Sequence, residues 1–285
     1  MSVLEETKYL MKKYKIKANK SLGQNFLIDD TVIEDIVGGA SIGKDDLVIE
    51  IGPGLGSMTA LLVEKAKKVI CVELDKKMIK ILNDRFIADD NIELINEDVL
   101  KLDLNKLIKQ EKEQNEIKDV KIVANLPYYI TTPIIMKLLE ENLDIASITV
   151  MIQKEVADRL IEIPSGKNTG AITYTIYYYC DSEKIMEVPN SSFIPEPEVT
   201  SEVIKMKIRK EPVVKVENPK VMFMIIKSAF MQRRKTLLNA LTNTQVFISK
   251  QEGIKILNKL GLNENVRAEN LTIENYAELA KEISK

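Results

Sequence analysis

The sequence predicts an α/β fold: an open, doubly wound, mostly parallel sheet closed by an antiparallel pair, then a small all-helical domain. Three observations carry this expectation. Short apolar runs alternate with segments of helical periodicity over residues 47–163. A glycine turn and three polar residues stand at the ends of four successive runs, at Gly52, Glu73, Asp98 and Asn125. After Pro212 only helical spacing remains.

Length and composition bound the rest. The 285 residues suffice for one α/β domain of about 200 residues plus a smaller one. No apolar run approaches the roughly 20 residues of a membrane span. The lysine-rich start, residues 1–14, lacks the apolar core of a signal peptide, so a cytoplasmic monomer with no membrane partner is expected. Cys71 and Cys180, the only two cysteines, read as plain thiols. The absence of histidine excludes the common zinc and nucleophile–histidine sites, so no metal is expected. Net charge is −2, yet the charge is unevenly spread. Lys8, Lys12, Lys13, Lys15, Lys17 and Lys20 occur with no acid among them, and Lys227, Arg233, Arg234 and Lys235 form a second cluster. Such clusters contact phosphates or are simply solvated.

Taken in order, residues 1–20 read as a mobile basic arm with room for one short helix. Residues 21–27 form a turn with an apolar anchor, and Asp29 or Asp30 caps a helix to about Val37. Strands follow at 47–51, 69–73 and 92–95, with helices at 57–67 and, capped by Asp75, at 76–86. Residues 109–119 are charged and read as a surface excursion. A fourth strand ends at Asn125. Thr132 and Pro133 suit the N-cap and first position of the next helix. A fifth strand covers 147–152, and a helix over 154–163 stops at Pro164. Residues 171–180 and 199–208 read as the antiparallel closing pair, around a proline-rich loop that holds Phe193. Helices are expected at 219–231, 234–242, 251–260 and 272–284. The domains expected are the arm at 1–20, the α/β domain at 21–211 and the helical domain at 212–285.

The loop after the fourth strand, Asn125-Leu126-Pro127-Tyr128, lies where open α/β sheets bind ligands. Asn125 offers a side-chain carbonyl. Leu126 precedes proline and is pushed towards an extended conformation, which turns its own carbonyl beside that of Asn125. Two adjacent carbonyls suit a planar amino group with two hydrogens to donate. Tyr128 adds a flat face for a flat ring. The competing reading is a polar turn whose Asn satisfies local backbone.

Gly52, Gly54 and Gly56 make a strand–turn–helix element in which the backbone can approach a ligand closely. Pro53 and the spacing depart from the nicotinamide fingerprint, and no P-loop lysine follows. Glu73, about 20 residues on, stands where an acid takes a ribose diol. Asp98 can accept from an adenine amine. Each acid taken singly is equally a cap or a solvated loop residue. Together they point to a nucleoside cofactor without phosphates, and S-adenosyl-L-methionine fits.

Five motifs then occur in order: Ser-Leu-Gly-Gln-Asn-Phe-Leu from Ser21, Glu-Ile-Gly-Pro-Gly-Leu-Gly from Glu50, Asn-Leu-Pro-Tyr from Asn125, Phe-Ile-Pro-Glu-Pro-Glu-Val-Thr-Ser from Phe193, and Phe-Met-Gln-Arg-Arg-Lys-Thr-Leu from Phe230. With these the chain resembles the ribosomal RNA adenine N6,N6-dimethyltransferases over nearly its whole length, most closely the bacterial small-subunit (16S) group. The resemblance implies a Rossmann-like seven-stranded methyltransferase sheet, mostly parallel with the last strand antiparallel. It implies cofactor contacts at Gln24, Asn25, Leu27, Gly52, Gly54, Glu73, Asp98 and Asn125. It implies that Asn125, Leu126, Pro127 and Tyr128 hold the target adenine, with Phe193 on its other face. Lys17, Lys20, Arg233, Arg234 and Lys235 are expected to contact small-subunit ribosomal RNA in an assembly intermediate. Alternatives are a large-subunit methyltransferase of the antibiotic-resistance type, an amide methyltransferase sharing the Asn-Leu-Pro-Tyr loop, and a non-enzymatic RNA-binding assembly factor on the same fold. The family's arm often carries histidine and arginine, where this chain has Lys17-Ala18-Asn19-Lys20.

Overall fold

The computed structural model describes residues 1–19, 22–166 and 168–284. Lys20, an expected RNA contact, lies outside the described residues. The elements, in chain order, are α1 (Val3–Lys13), β1 (Phe26–Leu27), α2 (Asp30–Gly39), β2 (Leu47–Ile51), α3 (Ser57–Lys65), β3 (Lys68–Val72), α4 (Lys76–Arg85), β4 (Ile92–Ile95), α5 (Leu104–Gln114), β5 (Val120–Asn125) and α6 (Thr131–Glu140). They continue with β6 (Ser147–Gln153), α7 (Lys154–Ile161), α8 (Ala171–Tyr179), β7 (Cys180–Val188), β8 (Phe193–Ile194), β9 (Ser201–Ile208), α9 (Pro219–Met231), α10 (Leu237–Asn243), α11 (Lys250–Lys259) and α12 (Ile273–Ile283). No helix among the described residues is long and apolar enough to cross a membrane.

Seven strands form one sheet in the order β4-β3-β2-β5-β6-β9-β7. The first five are parallel and β9 is antiparallel to β6. From β2 the chain steps outward through β3 to β4, then returns to the other side of β2 with β5. That reversal puts the topological switch point between the carboxyl ends of β2 and β5, where such sheets bind ligands. All five residues of β2 are buried, as expected for a central strand covered on both faces. Val48, Val69, Cys71 and Val123 share a core with α2 and α3.

The chain folds as two compact units, Met1–Ala157 with Ser182–Ile208, and Asp158–Asp181 with Arg209–Lys285. This differs from the sequence-based boundaries at both ends. Residues 1–19 are no loose arm. Ser2 and Glu5 form a capping box on α1. Leu10 joins a cluster with Phe26, Leu55, Met78 and Ile81. Glu6 pairs with Arg85, and the Tyr14 hydroxyl donates to Asp84 at 3.0 Å. The lysines dominate the composition, but the buried apolar positions decide the packing.

Residues 171–179 are helix α8, where a strand was expected. Their β-branched and aromatic residues favour strands in isolation. Packing overrides that preference: Tyr174 stands edge-on to Tyr276 at 5.0 Å and Tyr178 edge-on to Phe223 at 5.2 Å, in the core of the second unit. The closing strand instead begins at Cys180. Part of the expected excursion at 109–119 is also helical, the last half of α5, where Glu111 is buried against Lys68 at 2.7 Å. α6 starts at Thr131, whose hydroxyl donates to the Pro127 carbonyl, and Thr132 lies inside the helix.

Candidate active site

One cavity opens over the carboxyl ends of β2, β3 and β5. Residues 22–27 and 125–130 also line it. The glycine loop makes its floor. Gly54 has φ +60°, and a Cβ there would touch the Phe26 ring at 3.4 Å. At Gly56, φ +81°, a Cβ would stand 2.8 Å from both Leu82 and Phe86, so the loop can sit on α4 only with glycine in that place.

The acids come to this floor from separate strands. Glu73 follows β3 and is largely buried. Its Oε2 accepts from Gly54 N at 3.3 Å and its Oε1 from Asp75 N at 2.8 Å. Burial pushes its carboxyl up, and those two backbone bonds oppose the shift. Asn96, after β4, donates to the Glu73 carbonyl at 2.8 Å and ties the two strand ends together. Asp98 accepts from Leu100 N at 3.0 Å and borders the cavity with Glu97.

In the sequence Glu50 is only the first residue of the glycine motif, but the structure makes it a lining residue. It is 1 % exposed and accepts from the Thr59 hydroxyl at 2.6 Å and the Cys71 thiol at 3.6 Å. Its Oε1 is buried without a hydrogen-bond partner among the described residues. Burial pushes its carboxyl up to about 7, the Thr59 bond opposes, and the Glu73 charge adds to the rise. A signal was present in the sequence: an acid inside the apolar run Leu-Val-Ile-Glu-Ile.

The raised Glu50 value has a measurable consequence. Between about pH 4.5 and 7 the folded chain keeps a proton that the unfolded chain has lost. Stability therefore falls as pH rises through that window and levels off above it. Glu50→Gln should remove this fall, worth up to about 3 kcal/mol. Melting temperatures of both proteins at pH 5 and pH 8 measure it, and an equal difference at the two pH values would show that Glu50 is ionised throughout.

Asn125 is the last residue of β5, held in register with Met151. Its Nδ2 donates to the Asn25 carbonyl at 3.2 Å. That bond fixes the amide so that Oδ1 is the end facing away from Asn25. Leu126 N donates to Met151 O at 3.1 Å, extending the ladder one residue past the strand. The Pro127 carbonyl accepts from Ile130 N at 3.1 Å and from Thr131 Oγ1 at 3.2 Å, which pins the turn to α6. The Tyr128 hydroxyl and Ser201 Oγ share a hydrogen bond of 2.8 Å, and burial pushes the phenol up, so it stays protonated.

Thus Asn25, Leu27, Gly52, Gly54, Glu73, Asp98, Asn125, Leu126, Pro127 and Tyr128 meet at one cavity. Gln24 borders it too, but both ends of its amide are engaged, to Asp75 at 3.0 Å and to Asn19 N at 2.9 Å. Tyr129, not singled out by sequence, is 59 % exposed at the rim. Phe193 is not among the residues that border the cavity. It is 2 % exposed, sits in β8 opposite Leu27 of β1, and belongs to the core cluster with Val32, Ile36 and Val188. The structure does not bring its ring to the cavity. The β1–β8 pair buries it, as an apolar residue bounded by prolines is buried when a strand is available to pair with.

Among the described residues the lining carries four acidic side chains, Glu50, Glu73, Glu97 and Asp98, and no lysine or arginine. Such a wall suits a cation and repels phosphate. Lys17 lies outside this cavity, in the exposed segment after α1. Arg233, Arg234 and Lys235 are exposed in the second unit, in the turn between α9 and α10, where Lys235 N donates to Gln232 O at 2.7 Å.

Comparison with known proteins places the chain. Residues 15–285 match the family described as ribosomal RNA adenine dimethylase. The chain belongs to that family. It is similar to the ribosomal RNA small subunit methyltransferase A of Alkaliphilus metalliredigens (strain QYMF), with 50 % identity over 98 % of this chain and 96 % of that protein. The similarity to the protein of the same name from Bacillus pumilus (strain SAFR-032) is 45 %, again over 98 % of this chain and 96 % of the other. Among solved structures, a dimethyladenosine transferase from Plasmodium falciparum superposes with a TM-score of 0.75 at 26 % identity, covering 91 % of this chain and 97 % of that one. The 23S rRNA methyltransferase ErmE shares the fold, with a TM-score of 0.66 at 22 % identity over 92 % of this chain and all of that one.

Proposed function

We propose that the protein transfers methyl groups from S-adenosyl-L-methionine to the exocyclic amine of adenines in small-subunit (16S) ribosomal RNA, giving dimethyladenine. One observation carries the reading: among the described residues, four acidic side chains and no basic one line a cavity that ends at Asn125-Leu126-Pro127-Tyr128. The cofactor's cationic groups fit that wall, and the orphaned Glu50 Oε1 supplies an acceptor for one of them. Glu73 is placed to take the ribose and Asp98 the adenine amine. When bound, the cofactor supplies an electrophilic methyl group.

The chain's own residues do the rest. Asn125 Oδ1 and the Leu126 carbonyl accept the two hydrogens of the target amine. An adenine amine is a poor nucleophile because its lone pair is delocalised into the ring. Two acceptors favour the pyramidal form that carries positive charge in the transition state. Tyr128 offers its face to a base taken out of its helix. Positioning supplies much of the acceleration. The proton leaves to solvent after transfer, so the lack of histidine is no obstacle. Relatives at 45–50 % identity, named for the small subunit, favour that RNA over large-subunit RNA.

The test is to incubate the full chain with labelled cofactor and small ribosomal subunits from cells lacking this methylation, then map the modified nucleotide. Label as dimethyladenine in the small-subunit RNA is expected. Label only in large-subunit RNA, or none in either, would overturn the reading.

Arg233 and Arg234 are expected to serve RNA binding. Arginine pairs with phosphate bidentately. The double Ala variant should lose affinity for the subunit, with the log–log salt slope reduced by about one to two units. Its melting temperature should barely move. A large fall in melting temperature with the slope unchanged would make the pair structural.

A further inference from the structure

A second cavity adjoins the first. The two share Leu22 and Leu74, and the second is bordered by Lys17, Lys76 and Lys77. The change of charge between them is abrupt. Among the described residues one wall holds four acidic side chains and no cation, the other three lysines and one acid, Asp75. That acid is already engaged: its Oδ1 accepts from Lys77 N at 2.9 Å and its Oδ2 from Gln24 Nε2 at 3.0 Å. None of the three lysines makes an ion pair among the described residues.

The fold enforces this placement. Met78 is 1 % exposed in the cluster with Leu10, Phe26, Leu55 and Ile81, and that anchors the first turn of α4. With Met78 inward, Lys76 and Lys77 must stand outward at the rim. Ile16 packs on the same cluster and carries Lys17 to the facing side. Leu74, 52 % exposed, stands as an apolar divide between the acidic and basic walls.

We propose that the lysine-rimmed cavity is a phosphate subsite for the RNA strand that delivers the target adenine. The inference rests on the RNA-adenine reading given above and extends it from the base to the backbone. A strand whose base enters the acid-lined cavity brings phosphates that this wall repels. Next door, three ammonium groups without an ion pair among the described residues offer a place where the strand's charge is matched. Lysine, a compact charge on a flexible stem, suits phosphates whose orientation is set by the base and not by the protein.

The test uses the full-length protein with small subunits that lack the methylation. Lys76→Gln/Lys77→Gln should raise the KM for RNA roughly tenfold at moderate salt and cut the log–log salt slope by about two units. Lys76→Arg/Lys77→Arg should restore both. The dissociation constant for the cofactor analogue sinefungin and the melting temperature should hold, which separates a phosphate contact from a structural one. Unchanged KM and slope in the Gln variant, while the wild type methylates adenine, would overturn the subsite and leave the function standing. A wild type that methylates no RNA adenine would overturn both. Binding of inorganic phosphate in the absence of RNA that is lost in the Gln variant, with the KM for RNA unchanged, would mark a free-anion site and sink the assignment to RNA.

Discussion

Asn125→Ala is expected to lose at least about a hundredfold in methyl transfer while the protein remains folded and binds cofactor analogue. The reason is local. Asn125 closes β5, its Nδ2 is bound to the Asn25 carbonyl at 3.2 Å, and its Oδ1 is therefore presented in a fixed direction. Removing one preorganised acceptor from a developing charge costs about 3 kcal/mol in the barrier. The strand itself should tolerate the change, because its register is held by backbone pairs from Lys121 to Asn125 with β6. Single-turnover transfer to RNA and sinefungin titration measure the two halves. Transfer within a few-fold of wild type would remove Asn125 from the reaction. Lost analogue binding with lost transfer would make the Asn25–Asn125 bond a cofactor contact first.

Phe193→Ala should act on stability more than on catalysis. The ring is 2 % exposed among Leu27, Val32, Ile36 and Val188, so truncation leaves a cavity in the core. Phe-to-Ala changes at such sites cost about 3–5 kcal/mol. For a unit of this size that lowers the melting temperature by roughly 10 °C. Phe193→Leu should recover most of the loss. The resemblance to the adenine dimethyltransferases implies the opposite pattern, with the ring stacking on the target base. A variant with normal melting temperature and abolished transfer would bear out that role. It would also mean that β1 and β8 part when RNA binds.

Where the sequence was informative, the information was local and chemical. The switch-point position of Asn125 followed from an apolar run stopped by Asn-Leu-Pro, because a central strand must be apolar and its loop must turn. Glu73 and Asp98 stood out as acids at strand ends, and the parallel sheet brought them to one floor with the glycine loop. Family membership was readable for the same reason, since the five motifs are contiguous stretches. What the sequence could not decide was which apolar surface each segment would meet. Residues 171–179 have strand-like composition and are helical because Tyr174 and Tyr178 find aromatic partners contributed by α9 and α12. The N-terminal segment looks solvated by its lysines and is anchored by Leu10 and Glu6 against side chains some 70–80 positions away. Phe193, an apolar ring in a proline-bounded loop, reads by itself more readily as a core plug, the resemblance implies a stacking face, and its pairing opposite Leu27 sets it in the core cluster. Glu50 and the lysines at 17, 76 and 77 acquire meaning only from their neighbours. A carboxylate becomes exceptional when burial withholds water, and a lysine when no acid pairs with it, and both conditions are properties of the folded chain.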